Sequence, residues 1–170
     1  MPQTGVGPGI ISAPRFYFQP TGGGKPAWNF SEMNSISTEV EAHEFIYCDQ
    51  DGAVQHTKQY GKTVPPSVTL VKPMDADRAL WAWHMSVQCG NQLARITSTL
   101  SVFPAGSPDL PPQGQPLFQW TLEKAWPARI EVSNMQAGST QTGTLTVTFA
   151  CDLITVLGAN GSATGPAFST

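Results

Sequence analysis

Residues 142–151 alternate without interruption: Leu145, Val147, Phe149 and Cys151 fall at one phase and Thr144, Thr146 and Thr148 at the other. A period of two sends successive side chains to opposite faces of an extended chain, so the segment reads as a strand with one buried and one polar face. The pattern recurs. Phe118, Trp120 and Leu122 alternate with Gln119, Thr121 and Glu123, and Ile130 and Val132 with Arg129, Glu131 and Ser133. Ile96, Leu100 and Val102 oppose Thr97, Thr99 and Ser101, and Val68 and Leu70 oppose Ser67 and Thr69. From Ile36 the phase holds to His43 and then slips to Phe45 and Tyr47, as a β-bulge would cause. Phe16 and Phe18, with residues 28–30, form an opening hairpin around Thr21-Gly22-Gly23-Gly24-Lys25. A chain patterned this way folds mainly as β structure.

Composition agrees. Charged residues make up 12% of the 170, about half of the usual ~25%. Their place is taken by 16 Gly, 15 Pro and many Ser and Thr, a turn-rich mixture, while 40% hydrophobic content is enough for a real core. The net charge of -3, with no basic run, excludes a sequence-independent nucleic-acid binder. No cationic segment leads into an apolar one near Met1, so neither a secretory signal nor a membrane span is expected, and folding in the cytoplasm follows. Cys48, Cys89 and Cys151 have no pairing spacing and read as mostly buried thiols.

One stretch departs from period two. Residues 75–90 read as a single helix, with Asp75 as cap, Asp77 near the positive end of the dipole and Gly90 as stop. Ala76, Leu80, Trp83 and Val87 form its core stripe. Trp81, Met85 and Cys89 lie off that stripe, which makes the helix apolar on a second side and places Arg78, Trp81 and Met85 on a contact surface. Leu80, Trp83, Trp120, Trp126 and Phe149 are the expected core. Residues 48–65 and 104–116 read as long connections, unusual in a domain unless they reach outside it. Residues 1–14 and 155–170 read as flexible arms around a domain at 15–154.

Familiar chemistry fails on spacing. Thr21-Gly22-Gly23-Gly24-Lys25 is followed by Pro26 and strand residues, not by the helix a phosphate loop needs. Asp49-Gln50-Asp51-Gly52 begins like a calcium loop, but Tyr60 stands where the bidentate Glu belongs. His43, His56 and His84 have no partner at metal-ligand spacing, and there is no nucleophile elbow. Glu39 and Glu41 share a strand face, as exposed strand residues often do. No catalytic, cofactor or metal site is read, and no enzyme.

The order of segments is distinctive. Phe16-Tyr17-Phe18 is followed by Phe30-Ser31-Glu32-Met33-Asn34-Ser35-Ile36, Glu39-Val40-Glu41 and a loop. Then come Val68-Thr69-Leu70-Val71-Lys72, the acidic start leading to Leu80-Trp81-x-Trp83, and Trp120-Thr121-Leu122-Glu123-Lys124-Ala125-Trp126-Pro127. This order, from about Arg15 to Ile154, resembles the tail-tube proteins of contractile-tailed phages and phage-like contractile injection systems. The resemblance implies a flattened antiparallel β-barrel, or two packed sheets, with one helix on its side. It implies hexameric rings stacked into a hollow tube, with a sheath outside, baseplate or spike and cap proteins at the ends, and an effector protein or DNA in the bore. It implies no sequence-specific nucleic-acid binding, no stable membrane insertion and a final place in a phage tail or injection particle. In that setting the 48–65 loop, with His56, Lys58, Tyr60 and Lys62, would reach neighbouring subunits. The polar faces of Thr97 and Thr99, and of Thr144, Thr146 and Thr148, are candidates for the lumen. A tube-initiating subunit beside the baseplate and a non-enzymatic β-barrel binding module are the alternatives.

Overall fold

The computed structural model describes residues 14–48, 50–104, 116–133, 135–138, 140 and 142–157. The opening hairpin forms as expected: β1 (Arg15–Pro20) and β2 (Trp28–Phe30) pair with Phe16 opposite Phe30 and Phe18 opposite Trp28. Gly22, Gly23 and Gly24 all take positive φ in its turn, and a Cβ on Gly23 would lie 2.7 Å from Ile96 Cδ1. There follow β3 (Glu32–Cys48), β4 (Val54–Pro73), α1 (Ala79–Gln88), a 3-10 turn at Gln92–Ala94, β5 (Ile96–Phe103), β6 (Phe118–Ser133), β7 (Thr144–Ala150) and β8 (Leu153–Leu157). Neighbouring strands are antiparallel in the order β2-β1-β5-β6-β7-β4-β3, with β8 also on β6, and the sheet is not closed.

β6 turns this sheet into two walls. Its first half pairs with β5 and its second with β7. Alternation divides the stretch into two strands around Lys124, but the chain bends without breaking. Lys124 takes φ 50°, and register shifts flank it opposite Ile96/Ser98 and at Pro127/Arg129. Bulges absorb the bend, and a bulge is where a strand tolerates a proline. One wall is β2-β1-β5 with the first half of β6 and β8; the other is the second half of β6 with β7, β4 and β3. The core lies between them, where Phe18 of one wall stacks on Phe149 of the other at 4.3 Å and Leu70, Leu100, Leu122 and Val147 are fully buried. Each such side chain contributes about 1.5–3 kcal/mol.

α1 packs mainly against β6 and drives Leu80 and Trp83 into the core. Trp83 stacks on Trp28 at 5.8 Å and its Nε1 donates to Ala94 O at 2.7 Å, which satisfies the indole where no water reaches it. The helix starts later than expected. Asp75 is drawn away by Lys72 Nζ at 2.8 Å, and Asp77 Oδ1 accepts from Ala79 N at 2.8 Å, so capping passes to Asp77 and Ala76 stays exposed before the helix. Gly90 stops it as expected, at φ 78°. Of the three thiols only Cys151 is buried; Cys48 and Cys89 are exposed, contrary to the sequence expectation. The segments 1–13, 105–115 and 158–170, which hold most of the expected terminal arms and of the 104–116 connection, lie outside the described residues, and β8 runs to Leu157.

Candidate assembly surfaces

Residues 48–65 are not a loop. β3 and β4 stay paired far beyond the walls, from Ser37 opposite Ser67 to Cys48 opposite Val54, whereas β7 pairs with β4 only from Ser67 onward. The result is a two-stranded arm roughly 35–40 Å long at about 3.3 Å per residue. His56, Lys58, Tyr60 and Lys62 therefore sit on a strand; the spacing of two puts His56, Lys58 and Tyr60 on one face of the arm, and the register shift opposite Glu41 separates Lys62 from them. There Lys58 lies opposite Glu44, and His56 Nδ1 contacts Glu44 Oε1 at 3.2 Å. On the other face a Cβ on Gly61 would lie 2.5 Å from the His43 ring, so the ring fills the glycine's missing side chain. The bulges fall between Met33 and Ala42, and from Ala42 to Cys48 the register is regular, so the phase slip expected after His43 occurs earlier.

Among the described residues nothing covers the arm. Val40, Phe45, Ile46, Tyr47 and Val54 are more than half exposed and Tyr60 is 97% exposed. A two-stranded ribbon without a core behind it is marginal alone, and apolar side chains along it need a partner to bury against.

The two polar strand faces are not one surface. Thr144, Thr146 and Thr148 lie half-buried on the outer face of the second wall, beside Thr69, Arg129 and Glu131. Their polar groups are paired locally: Thr148 Oγ1 lies 3.2 Å from Thr69 Oγ1, Thr144 Oγ1 lies 2.8 Å from Ser133 Oγ, and Arg129 Nη2 donates to Glu131 Oε2 at 2.7 Å. Thr97 and Thr99 lie on the outer face of the first wall, with Thr99 opposite Thr121. Because the walls pack inner face to inner face, these outer faces point in opposite directions, and at most one can look into a bore.

On α1, Arg78 and Met85 are exposed and Trp81 half-buried, away from the Leu80–Trp83 side; Leu93 beyond the helix is 86% exposed. Phe149 joins Leu80 and Trp83 in the fully buried set. Trp120 is only half-buried, packed on Phe118 with ring centroids 4.5 Å apart. Trp126 is half-buried under the Arg95 guanidinium at 4.6 Å. Sequence reasoning missed β8, whose Ile154 and Val156 alternate with Thr155 just before a Gly-rich tail. It also missed the cleft of about 240 Å³ where the arm leaves β8, lined by Val40, Val64, Pro66, Leu153 and Ile154 among others.

Among the described residues no group of three or more His, Cys, Asp or Glu is placed to hold a metal ion. Asp77 is held below the usual carboxylate range by the Ala79 amide first and also by the Trp28 indole, whose Nε1 donates to Oδ2 at 2.7 Å. Burial pushes the Cys151 thiol up to about 12, with Asp152 adding to the effect. Both groups are bonded within the scaffold, Cys151 Sγ donating to Pro66 O at 3.6 Å. No helix among the described residues is long and apolar enough to cross a membrane.

Comparison with known proteins agrees with this architecture. The fold is similar to a chain of the sheath-tube complex of an extracellular contractile injection system, PVC, in the extended state (TM-score 0.60, 21% identity, 85% of this chain and 89% of that one). It is similar to a chain of the PVC sheath/tube terminator (0.61, 22%, 88% and 97%) and to one in the baseplate of the anti-feeding prophage (0.65, 16%, 91% and 98%). No curated protein sequence matches significantly. A family model described as T4-like virus tail tube protein gp19 matches residues 14–155, spanning both walls, the arm and the helix. The chain belongs to the T4-like virus tail tube protein (gp19) family.

Proposed function

We propose that this protein polymerises, as six-membered rings stacked into a hollow tube, to form the inner conduit of a contractile injection machine or phage tail. The arm carries the proposal: a ribbon of two strands without a core of its own, with Val40, Phe45, Ile46, Tyr47, Val54 and Tyr60 exposed along it, is marginal alone and gains from burial against another subunit. Rings place one copy's arm on the next. A repeated heterologous contact of this kind closes into a ring when its rotation allows. A sheath protein surrounds the tube, and baseplate or spike and cap proteins bind its ends. Sheath contraction drives the tube through the target envelope, and an effector protein or DNA leaves through the bore.

The face of Thr144, Thr146 and Thr148 is assigned to the lumen. It belongs to the wall from which the arm extends, and its one charged pair, Arg129 with Glu131, is neutralised internally. A hydroxyl wall with no free cation adds little affinity for phosphate or carboxylate groups, so cargo slides. The arm exposing Lys58 and Tyr60, and the α1 face of Arg78, Trp81 and Met85, are assigned to protein contacts. The test is to replace residues 41–62 by Asn-Gly, which closes Val40 onto Thr63 as a tight hairpin. The shortened protein is expected to keep its near-ultraviolet circular dichroism and sediment as a monomer, while the full chain sediments as a hexamer. Rings formed equally well without the arm contradict the proposal.

A further inference from the structure

Exposed strand edges are normally guarded by charge, proline or brevity, and among the described edges β8 alone is not. β3 carries Glu32, Glu39, Glu41 and Glu44, the far part of β4 carries Lys58, Lys62 and Pro65, and the second half of β6 carries Pro127, Arg129 and Glu131. β2 is three residues long. β8 reads Leu153-Ile154-Thr155-Val156-Leu157, with neither charge nor proline, and pairs only along β6. Its free edge is a vacated place. β7 and β8 run in line along β6, with Ala150 opposite Trp126 and Leu153 opposite Glu123. β4 pairs with β7 as far as Ser67 opposite Ala150. Continued in the same register, residues 60–64 of β4 would lie beside β8. Instead β4 leaves at Pro65-Pro66, neither of which has an N–H to donate, and the apolar cleft opens between them.

We infer that the free edge of β8 receives the β4 edge of a neighbouring copy's arm, which fills the place the subunit's own β4 has left. This rests on the reading that copies assemble into rings. Charge selects β4 rather than β3 as the incoming strand. The cleft is lined by the carboxylates Glu39 and Asp152, Glu123 lies opposite Leu153 on β6, and Lys124 Nζ lies 3.5 Å from Asp152. Residues 54–65 carry Lys58 and Lys62 and no carboxylate, whereas the β3 side of the arm carries Glu39, Glu41 and Glu44. Backbone pairing supplies the affinity and the cleft takes alternate apolar side chains, the arrangement of strand addition to a sheet edge.

Hydrogen–deuterium exchange on the full chain, before and after assembly, tests this without any substitution. The amides of residues 153–157 and 54–64 are expected to slow together at least about tenfold in rings. Rings whose β8 amides exchange as in the monomer overturn the seating and leave the ring reading intact; a wild-type chain that never forms rings overturns both. In a Cys48→Ser, Cys89→Ser background, Lys62→Cys combined with Leu153→Cys is expected to give disulfide-linked ladders in assembled protein only. Lys58→Glu with Lys62→Glu is expected to weaken assembly about tenfold, and Glu39→Lys with Glu123→Lys to restore it. Rings that form with neither the disulfide ladder nor the charge rescue place the arm elsewhere.

Discussion

Asp77 holds more of the local structure than its neighbours because each of its oxygens has a separate task. Oδ1 caps α1 through Ala79 N and Oδ2 takes the Trp28 indole, so Asp77→Ala leaves two donors without a partner. A loss of about 1–2 kcal/mol is expected in urea unfolding. Since its folded pKa is lowered, the stabilisation is complete above the ordinary carboxylate pKa and disappears as pH falls through the folded value. Wild type and Asp77→Asn should therefore converge in stability as pH falls below the ordinary carboxylate range. Cys151 acts with the opposite sign. Above about pH 8.5 the unfolded thiol ionises while the buried one stays protonated, so stability falls as pH rises. In the native state Cys48 and Cys89 are expected to react with a thiol reagent and Cys151 to resist it. The choice between Asp75 and Asp77 as cap was not readable from residues 75–90. It depends on Lys72, which lies just outside that stretch and claims Asp75 from the end of β4. Nor does residue type place a thiol: Cys48, which ends the arm strand β3, and Cys89, which follows the last turn of α1, are both exposed.

Alternation revealed the wall strands because each has a wet face and a dry one, as in β7. The β3 half of the arm showed in the alternation from Ile36 to Tyr47, but the β4 half escaped because that signal requires a buried face, and residues 54–60 bury none within the subunit. Its pairing is nonetheless specific. Gly61→Val would place a branched side chain where the His43 ring and the Glu41 carbonyl already lie, within 2.5 and 2.9 Å of the first added carbon. The arm amides are expected to exchange faster in that variant while the amides of β7 keep their protection. Phe45→Ser with Tyr60→Ser removes apolar surface that supports no core, so monomer stability should change by less than about 0.5 kcal/mol while ring formation is lost. At the bend of β6, Lys124 pays for its left-handed backbone; Lys124→Gly should be neutral or stabilising in thermal unfolding, and Lys124→Val destabilising by about 1 kcal/mol or more.

For the molecule as a whole, the scarcity of charge acquires a structural reading. A chain with 12% charged residues exposes an uncharged β8 edge, apolar side chains along the arm and a helix face bearing Met85, all surfaces that assembly would cover. Fold class and family were readable from the sequence, in the alternating strands, the single Leu80-Trp81-x-Trp83 helix and the Ala125-Trp126-Pro127 turn of β6. The back-to-back placing of the two threonine faces was not, because it follows from how β6 folds one half of the sheet onto the other. The central claim is that this surface belongs to a ring-forming tube subunit. Electron microscopy of the purified full-length protein at increasing concentration tests it most directly. The account predicts six-fold rings with an open centre, extending into tubes; particles that remain single subunits at the highest concentration would contradict it.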